Sequence, residues 1–177
     1  MQIKNTENHF GLVAIILHWV MAIILIGLVA LGFYMVWIPI SLDKLKLFGW
    51  HKEYGIVALV LVMIRIGWRL ANRNPSLASL PRLEIFAART VHYTFYLFMI
   101  ALPISGWLIT SAAGLPVSVF DWFVLPNLVS PNEEQRLVFQ QIHTWLGYGL
   151  IATFCCHVGA ALKHHFINKD DILKRML

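Results

Sequence analysis

The chain has 177 residues, 59% of them hydrophobic and 13% charged, with a formal net charge of +5 and a mean hydropathy of +0.69. Soluble domains carry about 25% charged residues, so this composition excludes an ordinary soluble enzyme and reads as an integral membrane protein. The positive balance is not a nucleic-acid footprint, because the basic residues lie beside apolar runs, where lipid headgroups and membrane orientation account for them.

The polar lead Met1–Asn8 carries one lysine, Lys4. The apolar run behind it is too long for the core of a secretory signal and is expected to stay as a membrane span. Four runs, at about 11–37, 54–70, 85–113 and 137–162, approach or exceed the roughly 17 residues needed to cross a bilayer. Trp50 to Glu53 are expected to extend the second run into the interface. Pro39 should end the first helix, having no N–H to continue the ladder. Pro103 falls inside the third, where a kink is tolerable among neighbouring helices. The connections are short or moderate and no repeat is visible. These features predict an all-α, up-and-down bundle of four transmembrane helices forming one domain over residues 1–177.

Basic residues set the orientation. Lys4, Arg65, Arg69, Arg73, Arg82, Arg89, Lys163, Lys169, Lys174 and Arg175 fall on one side, against Lys44, Lys46, Lys52 and Arg136 on the other. Both termini are therefore expected in the cytoplasm, with Trp37, Trp50, Trp107, Trp122 and Tyr54 near the outer interface.

The fourth run carries His143 and His157, fourteen residues apart. On a helix that interval rises about 21 Å and returns to within roughly 40° of the same face. Isolated imidazoles are costly in lipid, so each needs a partner. His18, near the cytoplasmic end of the first helix, matches His157 in depth; His51, opening the second helix, matches His143. Pairs of facing imidazoles at two depths suit axial ligation of two stacked haems. No C-x-x-C-H is present, so the haems would be noncovalent. At i+4 from the four histidines stand Ala22, Gly55, Gly147 and Ala161, small enough to lie against a flat ring.

His92 shares a helical stripe with Arg89, Tyr93 and Tyr96, expected to face inward. His92 and Tyr93 are candidate quinone-site residues or supports of the ligands. Arg65 and Arg69, one turn apart, are candidates for haem propionates, with lipid-directed snorkelling as the alternative. Lys44, Lys46 and Lys52 flank His51 and could serve the other haem or attract an anion. His9, His164 and His165 lie in polar flanks, expected to be solvated or among headgroups. Cys155 and Cys156 read as plain packing residues.

Leu17-His18-Trp19, Trp50-His51, Arg65 with Trp68-Arg69, Leu102-Pro103 through Ser105-Gly106-Trp107, His143 and His157 together resemble the bacterial cytochrome b561 family. The tail from Ala160 to Phe166, with Asp170, is similar to the family's ending. The resemblance implies two haems b on His18, His51, His143 and His157, in a di-haem protein of the bacterial inner membrane. It also implies electron transfer between the periplasmic face and the membrane quinone pool. One member type, superoxide oxidase, passes electrons from periplasmic superoxide to ubiquinone. An anionic substrate favours a positive outer surface, whereas the outer segments 39–53 and 114–136 hold four basic and five acidic residues. Two alternatives stand beside this reading. The first is a cytochrome b subunit serving a separate dehydrogenase or periplasmic redox partner. The second is a haem-free transporter bundle, disfavoured because all nine acidic residues lie in flanks or connections, leaving no ion relay at mid-membrane.

Overall fold

The first apolar run becomes helix α1, Leu12–Trp37, in the computed structural model, which describes residues 2–76 and 80–176. It stops at Ile38, whose extended backbone (φ −82°, ψ 146°) is the one a residue before proline is driven to adopt. Helix α2, Leu42–Ala71, starts twelve residues before the expected Tyr54. Ser41 caps it by accepting the Lys44 N–H at 3.2 Å, and Asp43 suits the positive end of the helix dipole. Asp43, Lys44, Lys46 and Lys52 interrupt the apolar run without interrupting the helix, which is why hydropathy alone placed the start too late.

Helix α3, Arg82–Ala112, runs on through Pro103. Helix α4, Glu133–Leu162, is capped by Asn132, which accepts the Gln135 N–H at 2.9 Å, with Glu133 and Glu134 in its first turn. Beyond it the chain loosens into a π-helical turn, Lys163–Asn168, and a short 3₁₀ turn, Leu173–Met176.

Contacts across the helices alternate their directions. The start of α1 meets the end of α2 where Arg65 reaches His18. The end of α3 meets the start of α4 where Ser105 reaches His143, and Glu84 at the start of α3 holds Lys163 just past α4. Trp19 donates its indole N–H to the Met176 carbonyl at 2.8 Å, so the two termini share one end of the bundle. The molecule is an all-α membrane bundle of four long apolar helices.

The opposite end carries a feature the sequence did not announce. Strands β1, Val117–Val119, and β2, Phe123–Leu125, form an antiparallel hairpin in the α3–α4 connection. Its turn places Phe120 and Asp121 at φ 50° and 57°, the mirror-image turn that matches the strand twist. An aromatic at positive φ is unfavourable on its own. Helix α2 holds it there, as Glu53 accepts the Phe120 N–H at 3.3 Å and Tyr54 packs its ring edge-on at 5.6 Å.

Met21, Val62 and Met99 make the core cluster at mid-bundle, one residue from each of α1, α2 and α3. Against α4 the packing is closer. A Cβ at Gly149 would lie 2.5 Å from Cζ of Phe98, so the Phe98 ring rests on the bare backbone of α4 and would have to shift for a larger residue there. Large apolar side chains such as Ile23, Val60, Leu97 and Trp145 point outward, as a lipid solvent permits. Cys155 and Cys156 are free and exposed on α4, so their packing partners in a membrane are lipids rather than neighbouring helices.

Candidate cofactor site in two layers of histidine

One fourteen-residue interval recurs on every helix and sorts the polar interior into two layers. Near the termini lie His18 on α1, Arg65 on α2, His92 on α3 and His157 on α4. Fourteen residues along each helix, toward the hairpin, lie Gly32, His51, Gly106 and His143. Because that interval nearly closes a whole number of turns, each helix presents both its residues on about one face.

In the terminal layer the rings of His18 and His157 stand 6.0 Å apart, centroid to centroid. His92 approaches His157 from the side at 6.1 Å, and Phe95 closes on it edge-to-face at 5.4 Å. Arg65 Nη2 lies 3.3 Å from His18 Nδ1. Arg69, one turn along α2, places its guanidinium over the Tyr96 ring at 5.6 Å. This layer is crowded and cationic.

In the hairpin layer the rings of His51 and His143 stand 6.2 Å apart. Ser105 Oγ lies 2.8 Å from both the Leu102 carbonyl and His143 Nδ1. A hydroxyl has one proton, and the carbonyl can only accept. The Ser105 O–H therefore donates to Leu102, and its oxygen accepts the N–H of His143 Nδ1. That tautomer leaves Nε2 with its lone pair free, as a metal ligand requires. His51 Nδ1 is buried with no hydrogen-bond partner among the described residues. Gly32 and Gly106 lie against the rings: a Cβ at either would make ordinary van der Waals contact, 3.5 Å, with Cε1 of His51 and His143 respectively.

These residues fit haem b. Two imidazole–metal bonds of about 2 Å, with half a ring behind each nitrogen, separate the centroids by roughly 6 Å, close to both spacings found. The small residues beside the ligands fit as well, because a Cβ at Gly55 or Gly147 would meet no atom within 4 Å. Gly32 was not singled out in the sequence, and Ser105 and Gly106 stood only within the motif that carries the resemblance, with no role assigned. The interval between His143 and His157, carried over to the other three helices, would have found the glycines; only the fold reveals the serine.

Two expectations need correction. Tyr93 is 66% exposed, and Arg89 is also exposed, so the α3 stripe turns only His92 and Tyr96 toward the bundle. The stripe is about 100° wide, and its outer edge meets solvent or lipid. His164, expected in a solvated flank, is buried. The π-helical turn swings it inward, where Nδ1 lies 2.6 Å from Asp170 Oδ2 and Nε2 lies 3.9 Å from Glu84 Oε2. His9 is exposed, and His165 meets the Phe166 ring edge-on. Around His51, Lys46 pairs with Asp43 at 3.7 Å and Lys44 donates to the Ile38 carbonyl.

The sequence matches the family described as Prokaryotic cytochrome b561 over residues 9–177. It is 38% identical to Cytochrome b561 homolog 2 of Escherichia coli (strain K12), covering 100% of this chain and 95% of that protein. Cytochrome b561 homolog 1 of the same organism is 33% identical, over 96% and 97% of the two chains. A protein of Yersinia pestis named Probable superoxide oxidase CybB is 32% identical over 72% of each.

Proposed function

Since the chain belongs to the prokaryotic cytochrome b561 family, we propose that it is a transmembrane di-haem b electron-transfer protein. It exchanges electrons between the outer face of a bacterial inner membrane and the quinone pool. The observation that carries this reading is the facing imidazole pair repeated at two depths, 6.0 Å apart in one layer and 6.2 Å in the other. Haem b held at each depth supplies a one-electron couple shielded from water.

The chain's own residues then have distinct tasks. His18 and His157 hold one group, and His51 and His143 the other. Ser105 keeps His143 in the ligating tautomer. Arg65 and Arg69 offer guanidinium forks to carboxylates beside His18. A quinone arriving through lipid meets Tyr93 on the outside of α3, with His92 behind it, its ring 6.1 Å from that of His157. The ten-to-four division of basic residues supports cytoplasmic termini.

Superoxide is the proposed donor at the hairpin end. The name of the Yersinia pestis relative supports it. So does Lys52, next to His51, which forms no ion pair among the described residues, while Lys46 and Arg136 are paired with Asp43 and Glu133.

A pyridine haemochrome assay on the purified protein tests the first part, with two haems b per chain expected. Stopped-flow mixing with superoxide then tests the second: the haem bands should reduce and a quinone should follow. A colourless preparation overturns the cofactor reading. A pigmented one that ignores superoxide, yet is reduced by a co-purifying dehydrogenase, makes the chain a subunit serving that partner.

A further inference from the structure

Trp68 follows Arg65 by three residues on α2 and precedes Arg69, so all three share one helical face. Arg65 on that face touches His18 and Arg69 covers Tyr96, which places the face against the terminal layer. The Trp68 carbonyl accepts the Asn72 side-chain N–H at 2.9 Å, one turn along at the end of the same helix. Its indole nitrogen is buried and has no hydrogen-bond partner among the described residues. An indole N–H can only donate, and leaving it unmade in the interior is costly.

The surroundings make the orphan informative. Arg65, Arg69 and Trp68 are donors without an acceptor function, and among the described residues neither arginine forms an ion pair with a carboxylate. Of the carboxylates at this end, Glu84 is engaged by Lys163, Asp170 by His164 and Asp171 by Lys174. A donor-only face in a low-dielectric bundle needs an anionic acceptor from outside the chain.

We infer that Trp68, with Arg65 and Arg69, forms a carboxylate-binding site for a propionate of the haem held by His18 and His157. The inference rests on the di-haem reading above. The indole N–H supplies a directional bond, and the two guanidiniums supply charge.

The test uses the full-length protein in detergent, loaded with either iron protoporphyrin IX or its dimethyl ester, which lacks the free carboxylates. Haem release to excess apomyoglobin is followed for wild type, Trp68→Phe and Arg69→Gln. With protoporphyrin, each variant should lose one of its two haems about tenfold faster, while the haem at His51 and His143 stays at the wild-type rate and reports that the bundle is folded. With the dimethyl ester, wild type and both variants should release alike. Unchanged release in Trp68→Phe overturns the inference, as does an acceleration that persists with the ester, which would point to packing or to a lipid phosphate. If wild type carries no haem, or keeps both after His157→Ala, the di-haem reading itself fails, and this inference with it.

Discussion

The two layers are built on the same fourteen-residue spacing but solve different problems. The terminal layer fills its α2 and α3 positions with Arg65 and His92 around the facing pair His18 and His157. The hairpin layer puts glycine at its α1 and α3 positions, so His51 and His143 face each other between two bare backbones, with no guanidinium in contact among the described residues. Crowding and charge at one depth, bare backbone and a single serine at the other, should give two couples of unequal potential within one bundle. A cation beside a redox group favours its electron-rich state. Electrons entering at the hairpin layer would then run toward the layer of higher potential.

The strongest way to break this comparison is to remove ligands one layer at a time. His143→Ala should leave about one haem per chain, with the absorption and potential of the terminal layer, and His157→Ala should leave the converse. Loss of both from either single change, or of neither, would show that the layers are not independent sites. A haem count with a redox titration of each variant decides it.

Ser105→Ala is expected to have the next largest effect, confined to the hairpin layer. Without the hydroxyl, His143 Nδ1–H loses its short acceptor and is left with the Leu102 carbonyl alone, so the ring is held less firmly. Supports of this kind are worth about 10- to 100-fold in metal affinity, so haem at this depth should wash out at least tenfold faster. Ser105→Thr should restore retention, because it keeps the acceptor oxygen. Equal losses from both layers would mean that Ser105 acts through packing of α3 on α4 instead.

Arg65→Gln should act on the terminal layer alone and more gently. A unit charge at about 8 Å in a medium of effective dielectric about 20 contributes roughly 2 kcal/mol, and a propionate or nearby lipid cancels part of that. A fall of roughly 50 mV in one midpoint potential, with the other unmoved, is expected from a two-component redox titration. Equal shifts of both potentials would contradict the assignment of charge to one depth.

Much of this arrangement was legible in the residues because membrane burial simplifies the grammar. Long apolar runs gave the four spans to within a few residues wherever the flanks were apolar, as at Leu12–Trp37. The reading failed where a helix continues through charge, as α2 does from Leu42, since a cap at Ser41 and a helix dipole leave no trace in hydropathy. Histidine depth was accessible by counting residues along a rod of fixed rise. The bond from His143 to Ser105 was not, because it joins residues 38 apart in the chain. Tyr93 shows the same limit from the other side: a stripe fixes which residues neighbour one another, but not which edge of it the bundle covers. His164 was misplaced because its local sequence is polar, and only the π-helical turn converts that polarity into a buried contact.

That contact yields the smallest expected effect, one that should leave both layers untouched. Burial pushes the Asp170 carboxyl up, but hydrogen bonds with His164 and from the Ile172 N–H outweigh it and hold the group below the usual carboxylate range. A carboxyl lowered by folding stabilises the docked tail at every pH above its unfolded value of about 3.9. That contribution fades only as pH falls below that value and through the lower folded one. Tail docking should therefore be flat from neutral pH down to about 4, then loosen. Asp170→Asn should weaken it already at pH 7, where neutral asparagine replaces the anion beside His164. Hydrogen exchange of Ile172 and Arg175, whose N–H groups are bonded to Asp170 and Asp171, would rise in the variant, while haem content and both midpoint potentials stay at wild-type values. A change in either potential on Asp170→Asn would mean that the terminal layer is coupled to the tail, and the two layers would then differ in their mechanical surroundings as well as in charge.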